Sequence, residues 1–283
     1  MAEFFIYENE RGGALILRSD GDSFVTDIPA LSTVDVSISE AQGVGQVGAT
    51  ATEASIQPKT ITVSGAVRNA PARAALLAAV LPGVPARLTM VDGSARRYLE
   101  GIPSKSPEIS NRRGVQPFQF AFRCSYPYWR GEERPNSLSG LTALFRFPVN
   151  LAGTWRISSR SSDVFSTVDH PGNMPASFTL RFSARTQVTN PEVYHLESGS
   201  FIRLITTMEI GDTIEVSTVY GSKGAWLISE DGVSTNVFRL LDIDSDLSMQ
   251  LRPGVNTFRV EADAGKDGLD VTLFAPKGVW AGV

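Results

Sequence analysis

The chain of 283 residues contains few of the residue types that build metal centres and nucleophilic active sites. Cys124 is its only cysteine, and His170 and His195 are its only histidines. One cysteine excludes an intrachain disulfide and a thiolate metal cluster, and neither histidine stands in an HxxxH or HExxH pattern. We interpret Cys124 as a small apolar strand residue, His170 as part of a surface turn with Asp169, and His195 as a structural or surface residue. The sequence predicts no cofactor, no metal and no enzyme.

The chain also lacks an excess of basic residues. Residues 1–134 contain 14 Lys+Arg and 14 Asp+Glu, and the remaining residues contain 12 and 16, which accounts for the net charge of −4. Neutralising a phosphate backbone needs a basic surface. We therefore expect no sequence-specific nucleic-acid partner.

Long hydrophobic runs are missing as well. The longest, Ala74–Leu81, stops at Pro82 and is far shorter than the roughly 20 residues of a membrane-spanning helix. The start, MAEFFIYENE, has no basic stretch followed by an apolar one, so we do not expect a secretory signal. We expect a protein without a membrane span that is made and folded in a cytoplasm.

The richest pattern in the chain lies in the sequence VQPFQFAFRCSYPYWRG. Phe118, Phe120, Phe122 and Cys124 alternate with polar or small residues, and this period of two indicates a strand that buries one face. The Tyr-Pro-Tyr-Trp sequence after it ends regular pairing, since proline cannot donate to a ladder.

A polar run follows this aromatic corner and predicts a division of the chain. We expect a first domain over residues 1–134, a linker over residues 135–143 and a second domain over residues 144–283. Both domains are expected to be mainly β.

The first domain is predicted to be strand-rich α+β with one short helix. Short apolar or alternating runs predict strands at Glu3–Tyr7, Ala14–Arg18, Leu31–Ser39, Lys59–Arg68, Ala86–Val91, Arg96–Ile102 and Ser106–Ser110. Asn69 is the expected helix cap, and Pro71 fits the first turn. The helix is expected to bury the stripe formed by Ala74, Leu77, Ala78 and Leu81.

A glycine-rich segment, Gly43–Gly48, matches GxGxxG between two predicted strands. A dinucleotide site needs a helix that opens at the last glycine, but the following residues are poor helix formers and are cut by Pro58. We interpret the segment as a flexible arm, long enough to reach a neighbouring subunit. The predicted subunit-interface residues are Gly43, Val44, Gly45, Gln46, Val47 and Gly48.

The second domain is predicted to be an antiparallel β-sandwich. Alternating runs separated by turn residues are Phe145–Val149, Phe178–Ser183, Ile202–Met208, Thr213–Thr218, Ala225–Ile228, Thr257–Ala262 and Leu269–Phe274. The acidic residues Asp242, Asp244 and Asp246 lack the rest of an EF-hand loop, so we expect a solvated acidic edge. Trp155, Trp226 and Trp280 could stack on sugars, but core packing is the simpler interpretation.

Several stretches, taken in order, resemble the siphophage distal tail proteins, also called phage tail family proteins. They are residues 117–129, 145–148, 171–175, 189–193, 196–199, 210–218, 240–242 and 251–258. The resemblance implies an N-terminal ring-forming domain and a C-terminal galectin-like β-sandwich. It also implies a homo-oligomer, a hexameric ring at the tip of the tail tube. Such a ring joins the tube protein to the tail-tip hub protein and to receptor-binding proteins.

Two other functions stay open at the level of the sequence. A carbohydrate-binding sandwich would recognise host-surface glycans, with Trp226 as its candidate stacking residue. A glycoside hydrolase needs two suitably spaced carboxylates, and nothing in the sequence favours a particular pair.

Overall fold

The computed structural model describes residues 4–110, 114–139, 141–143, 158–160, 165–229 and 231–282. These residues fall into two units, the first formed by residues 4–132 with 280–282 and the second by residues 133–279. Strands dominate both units, and the described residues contain one α-helix. The prediction of a mainly β fold with one short helix is confirmed.

The second unit begins at Glu133, before the end of the predicted first domain. The reason is a strand, Glu133–Ser137, whose residues pair with Thr272–Pro276. Residues 135–137 of the predicted linker therefore belong to the edge strand of a sheet. The chain also ends in the first unit, with Trp280 beneath the guanidinium of Arg97, 4.3 Å from the ring centroid.

The described residues between 4 and 132 form eleven strands and the helix of the first unit. In chain order they are β1 (Phe4–Asn9), β2 (Ala14–Leu17), β3 (Ser23–Asp27), β4 (Val36–Ala41), β5 (Thr50–Ile56), β6 (Lys59–Val67), α1 (Ala70–Ala79), β7 (Ala86–Asp92), β8 (Ala95–Pro103), β9 (Glu108–Ile109), β10 (Gln116–Cys124) and β11 (Trp129–Gly131). The main sheet has the order β2-β1-β7-β8-β10-β6-β3. A bridge between Arg18 and Phe24 brings its two ends together, so the sheet closes on itself and α1 packs on β1, β2 and β6.

The predicted aromatic strand forms the centre of this core. Phe118, Phe120, Phe122 and Cys124 are all buried on β10, and β10 lies between β6 and β8. The ring of Tyr7 meets Phe120 and Phe122 edge to face, at centroid distances of 5.3 and 5.9 Å. This geometry is favourable for aromatic pairs, and the prediction for this strand is confirmed.

The helix forms where the sequence predicts it, but it buries a different face. The side chain of Asn69 caps it by accepting a hydrogen bond from the amide of Ala72 at 2.8 Å. The buried side chains are Ala72, Leu76 and Ala79, whereas Ala74, Leu77 and Ala78 are exposed. The predicted buried stripe is wrong because the helix is apolar on nearly all sides, so its periodicity does not single out one face.

The second unit contains the remaining strands. They are β12 (Glu133–Ser137), β13 (Leu141–Ala143), β14 (Ser158–Arg160), β15 (Phe165–His170), β16 (Thr179–Ala184), β17 (Val188–His195), β18 (Ser200–Arg203), β19 (Thr207–Met208), β20 (Thr213–Ser217), β21 (Gly224–Ile228), β22 (Ser234–Asn236), β23 (Gly254–Ala264), β24 (Leu269–Pro276) and β25 (Val279–Trp280), the last shared with the first unit. β13 pairs with β14.

Two larger antiparallel sheets make the second unit a β-sandwich. One has the order β12-β24-β16-β20-β21-β22, and the other has the order β15-β23-β17-β18, with β19 also paired to β17. Phe178, which precedes β16, and Phe258 of β23 are buried and meet edge to face at 6.0 Å. The interleaving of side chains from two sheets is the packing that the alternating sequence pattern predicts. The predicted strand at Phe145–Val149 lies outside the described residues.

Candidate subunit interface

The glycine-rich segment is the tip of a β-hairpin that the rest of the first unit leaves exposed. β4 and β5 form a two-stranded sheet of their own, and we call residues 36–56 the arm. Every residue of the arm is exposed. An isolated two-stranded hairpin is marginally stable in water, so packing against a partner would stabilise the arm.

Near its base, over residues 36–39 and 53–56, the arm has one apolar face and one polar face. In the register of the hairpin, Val36 lies opposite Ile56 and Ile38 lies opposite Ala54, so all four side chains share a face. Ser37, Ser39, Glu53 and Ser55 occupy the opposite face by the same register. Ile38 is 58% exposed, and apolar side chains grouped on one exposed face are typical of an interaction surface.

The tip of the arm has no phosphate-binding geometry of the dinucleotide type. The segment after Gly48 is strand β5 and not a helix, so no helix N-terminus faces the loop. The amide of Gly43 donates to Oε1 of Gln46 at 2.9 Å, and the Gln46 amide donates to the Gly43 carbonyl at 3.1 Å. These contacts form a closed turn that presents Val44 and Val47, both fully exposed, to solvent.

One hydrogen bond closes the base of the arm and two tie the chain before it to the core, and the sequence pattern does not reveal them. The amide of Gln57 donates to the Asp35 carbonyl at 2.9 Å. The indole Nε1 of Trp129 and the Nζ of Lys59 both donate to the Leu31 carbonyl, each at 2.9 Å. Trp129 and Lys59 are buried, so the chain that leads into the arm is held at a fixed point.

Burial shifts the pKa values of two titratable groups near the base of the arm. It lowers the pKa of Lys59, which the nearby Cys124 and Asp35 raise in part. Burial also raises the pKa of the Cys124 thiol to about 12. A thiol with such a pKa stays protonated and unreactive at neutral pH, in agreement with its interpretation as a small apolar residue.

His195 lies in a buried polar cluster of the second unit. Its Nε2 is 3.1 Å from Oδ1 of Asn256 and 3.1 Å from Oε2 of Glu197. Both of these atoms are acceptors, so Nε2 carries the proton, and Nδ1 accepts from the hydroxyl of Ser198 at 2.8 Å. The ring stacks on Phe258 at a centroid distance of 4.8 Å. His195 is therefore a structural residue of the sandwich.

His170 is not part of a surface turn, and that prediction is wrong. It is only 1% exposed, and its Nε2 lies 2.7 Å from the carbonyl oxygen of Met174. The sequence Asp-His-Pro-Gly suggests a turn, but His170 is the last residue of β15, which pairs with β23. Tertiary packing buries a residue that the local sequence places at the surface.

Two of the three aspartates near residue 244, Asp242 and Asp246, stabilise turns. Oδ1 of Asp242 accepts from the amide of Asp244 at 3.0 Å, and Oδ1 of Asp246 accepts from the amide of Ser248 at 2.7 Å. Such side-chain to backbone bonds are common for aspartate in turns. No group of three or more potential metal ligands occurs among the residues that the structure describes.

Trp226 is partly exposed on β21, with Glu215 and Asn236 as its neighbours in the adjacent strands. Its indole lies over Gly224, where an added Cβ would be 2.9 Å from the ring. Glu215 accepts two hydrogen bonds from Arg181, at 2.8 and 2.6 Å. The second candidate, Trp155, lies outside the described residues, and Trp280 contacts Arg97.

Within the described ranges, no helix has the length and apolar character of a membrane span. The arm is exposed along its whole length. Its shape and apolar face suit contact with another protein chain.

Comparisons with known proteins relate the chain to phage tail components. The family model for the C-terminal domain of siphovirus-type tail components matches residues 171–273. The fold is similar to that of the Dit protein of phage SPP1, described as a paradigm of the hub adsorption apparatus in phages that infect Gram-positive bacteria. That similarity has a TM-score of 0.66 and 15% identity, over 96% of this chain and 98% of that chain.

A second similar structure is a chain of the phage P2 baseplate, in its activated conformation with Ca. Its TM-score is 0.51 at 12% identity, over 97% of this chain and 98% of that chain. No curated protein matches the chain by sequence. The resemblance seen in the sequence is confirmed: residues 171–273 match the model for the C-terminal domain of siphovirus-type tail components, and the chain has a fold similar to that of the SPP1 Dit protein.

Proposed function

We propose that this protein is a structural subunit of the phage virion that assembles with its own copies into a closed ring, a hexamer, at the tip of the tail. The ring acts as an adaptor between the tube protein and the tail-tip hub protein, and it carries receptor-binding proteins. Assembly takes place in the host cytoplasm. The observation that carries the proposal is the arm, an exposed hairpin with one apolar face.

The arm suits a ring because of the symmetry that a ring requires. Each subunit of a cyclic ring larger than a dimer contacts its neighbours through two different patches. A hairpin that projects from one subunit onto the next supplies one such patch without any change in the core. In this proposal Gly43, Val44, Gly45, Gln46, Val47 and Gly48 are the interface residues at its tip.

Ile38→Asp is expected to convert the assembled protein into monomers, since it places a charge in the apolar face of the arm and burying an unpaired charge is strongly unfavourable. The matched control is Ser39→Asp, which puts the same charge on the polar face and is expected to leave assembly intact. Native mass spectrometry measures the outcome, with six chains of 30.5 kDa expected for the wild type. A wild-type chain that stays monomeric at its highest soluble concentration contradicts the proposal.

A second function is favoured by the position of Trp226. The indole lies on the sheet beside the Arg181–Glu215 pair. A flat aromatic surface next to hydrogen-bonding groups is suited to a sugar ring. In this alternative the sandwich recognises host-surface glycans, with Trp226 as the stacking residue.

Trp226→Ala is expected to abolish any glycan binding by the sandwich, because it removes the stacking surface while Ala225, which lies in the core, stays in place. Phe165→Ala is a suitable control, because Phe165 is a half-exposed aromatic residue on the other sheet of the sandwich. A glycan array with the wild type and both variants decides the matter. The absence of any wild-type signal, or equal signals from the wild type and Trp226→Ala, rules out this role for Trp226.

A further inference from the structure

The solvent face of helix α1 has no charged side chain. The exposed residues of the helix are Ala70, Pro71, Ala74, Ala75, Leu77 and Ala78. Leu77 is 39% exposed, whereas the opposite side of the helix packs on the core of the first unit. A surface helix normally carries charged or polar residues on its outer face, and a helix that is apolar all round is normally buried. We call residues 74, 77 and 78 the outer face of α1.

The outer face consists of small side chains around a single leucine, and such a surface allows another backbone to approach closely. The one charged residue within the helix, Arg73, is partly buried and donates from Nη1 to Oε1 of Gln116 at 2.9 Å. It therefore does not cover the outer face. A flat apolar partner fits this surface better than a charged or strongly curved one.

The charges around the arm and the helix are opposite in sign. Between residues 36 and 56 the charged residues are Glu40 and Glu53, and between residues 68 and 81 they are Arg68 and Arg73. Arg68 is exposed at the start of the helix. Because Arg73 is held by Gln116, the exposed positive charge at the start of the helix is that of Arg68. Glu40 is the negative charge on the same face of β4 as Ile38, and opposite charges favour the approach of the two surfaces.

The length of the arm is also sufficient for it to span the helix. A helix of ten residues is about 15 Å long at 1.5 Å per residue. A strand of seven residues such as β5 spans about 23 Å at roughly 3.3 Å per residue. One arm is long enough to cover the whole outer face of α1.

We propose that the outer face of α1 in one copy of the protein receives the apolar face of the arm from the neighbouring copy. The inference rests on the proposed ring and names its second patch. Val36, Ile38 and Ala54 of the arm then pack against Ala74, Leu77 and Ala78. Glu40, which follows Ile38 on the same face of β4, lies on the side of Arg68. The contact is heterologous, so it repeats around a ring until the ring closes.

Cysteine cross-linking tests this contact, because the only native cysteine is buried with a raised pKa. Val36, Ile38 and Ala54 are replaced by cysteine one at a time and mixed with a separate Leu77→Cys protein under a mild oxidant. At least one mixture is expected to give disulfide-linked chains, because two cysteines in contact lie within the distance that a disulfide spans. Ser37→Cys, on the polar face of the arm, is the control and is expected to give none with Leu77→Cys.

Native mass spectrometry of each mixture before oxidation separates this inference from the proposed ring. An assembled protein with no cross-link from any of the three arm positions overturns the assignment of α1 and leaves the ring standing. A protein that does not assemble overturns both. A disulfide between two Ile38→Cys chains indicates a two-fold contact between arms, and that result also overturns the inference.

Leu77→Asp provides an independent measurement with an unchanged fold. Leu77 lies outside the core, so thermal unfolding is expected to match that of the wild type. Subunit affinity is expected to fall by at least about tenfold, the effect of losing one central interface residue. An unchanged affinity contradicts the inference. Ala75→Ser, on the same helix but outside the outer face as defined, is the control and is expected to assemble normally.

Discussion

Trp129→Ala is expected to destabilise the first unit by about 3–5 kcal/mol, the usual cost of truncating a buried tryptophan. Trp129 is completely buried and belongs to the core of the closed sheet. The same substitution removes the hydrogen bond from Nε1 to the Leu31 carbonyl, which fixes the chain that leads into the arm. Urea unfolding followed by circular dichroism measures the loss of stability.

Trp129→Phe separates the two roles of this residue. It keeps most of the aromatic volume but loses the donor, so the expected cost is smaller, about 1–2 kcal/mol. Lys59 still donates to the Leu31 carbonyl in this variant. If Trp129→Ala unfolds at the same urea concentration as the wild type, the core around β10 and β11 does not depend on this side chain as described.

The strand that carries this core could be predicted because its pattern is unambiguous. Phe118, Phe120 and Phe122 repeat every second residue, a spacing that no helix accommodates on one face. The helix itself could be predicted from its cap at Asn69. Its buried face could not, because alanine and leucine occupy positions all around the helix axis, and only the tertiary packing decides which of them meet the sheet.

Strand β17 shows why other elements could not be predicted. It pairs with β18, β19 and β23, yet its sequence contains Asn190-Pro191, which suggests a turn. Asn190 has a φ of 50°, and the pairing with β23 skips it, from Thr189 to Pro191. The residue is accommodated as a local irregularity in the strand, a feature that depends on the neighbouring strands.

The hairpin that carries the candidate interface could be predicted only in part, because its faces depend on contacts between residues that a local sequence pattern does not contain. The sequence indicated that Gly43–Gly48 is not a nucleotide-binding loop, since the following residues are poor helix formers, and the structure places a strand there. The apolar face of the arm depends on the register between β4 and β5. The ties from Trp129 and Lys59 to Leu31 join residues far apart in the chain, and a local pattern does not contain such contacts.

Asn256→Ala is expected to destabilise the second unit by about 2–4 kcal/mol, since each buried polar group that loses its partner costs about 1–3 kcal/mol. Asn256 is fully buried. Its Oδ1 accepts from the amide of Arg252 at 2.8 Å, and its Nδ2 donates to the carbonyls of Arg252 and Gly254 at 2.8 and 3.0 Å. Asn136→Ala is the matched control, because Asn136 is only partly buried and donates to a single carbonyl, at 3.2 Å.

The loss from Asn256→Ala is expected to grow as the pH falls. Burial lowers the pKa of His195, and the hydrogen bond to Asn256 and the charge of Glu197 oppose that shift. An unfolded histidine, with a pKa of about 6.5, therefore takes up a proton before the folded one, and stability is lost as the pH falls below that value. Removing Asn256 lowers the pKa of His195 further. Both proteins lose the same stability until the pH reaches the lowered pKa of the folded wild-type histidine, so the gap is expected to be constant above about pH 6.5 and to widen below that lowered pKa. Urea unfolding from about pH 8 to the lowest pH at which the wild type stays folded measures the gap, and a gap that stays constant while NMR shows His195 taking up its proton contradicts the prediction.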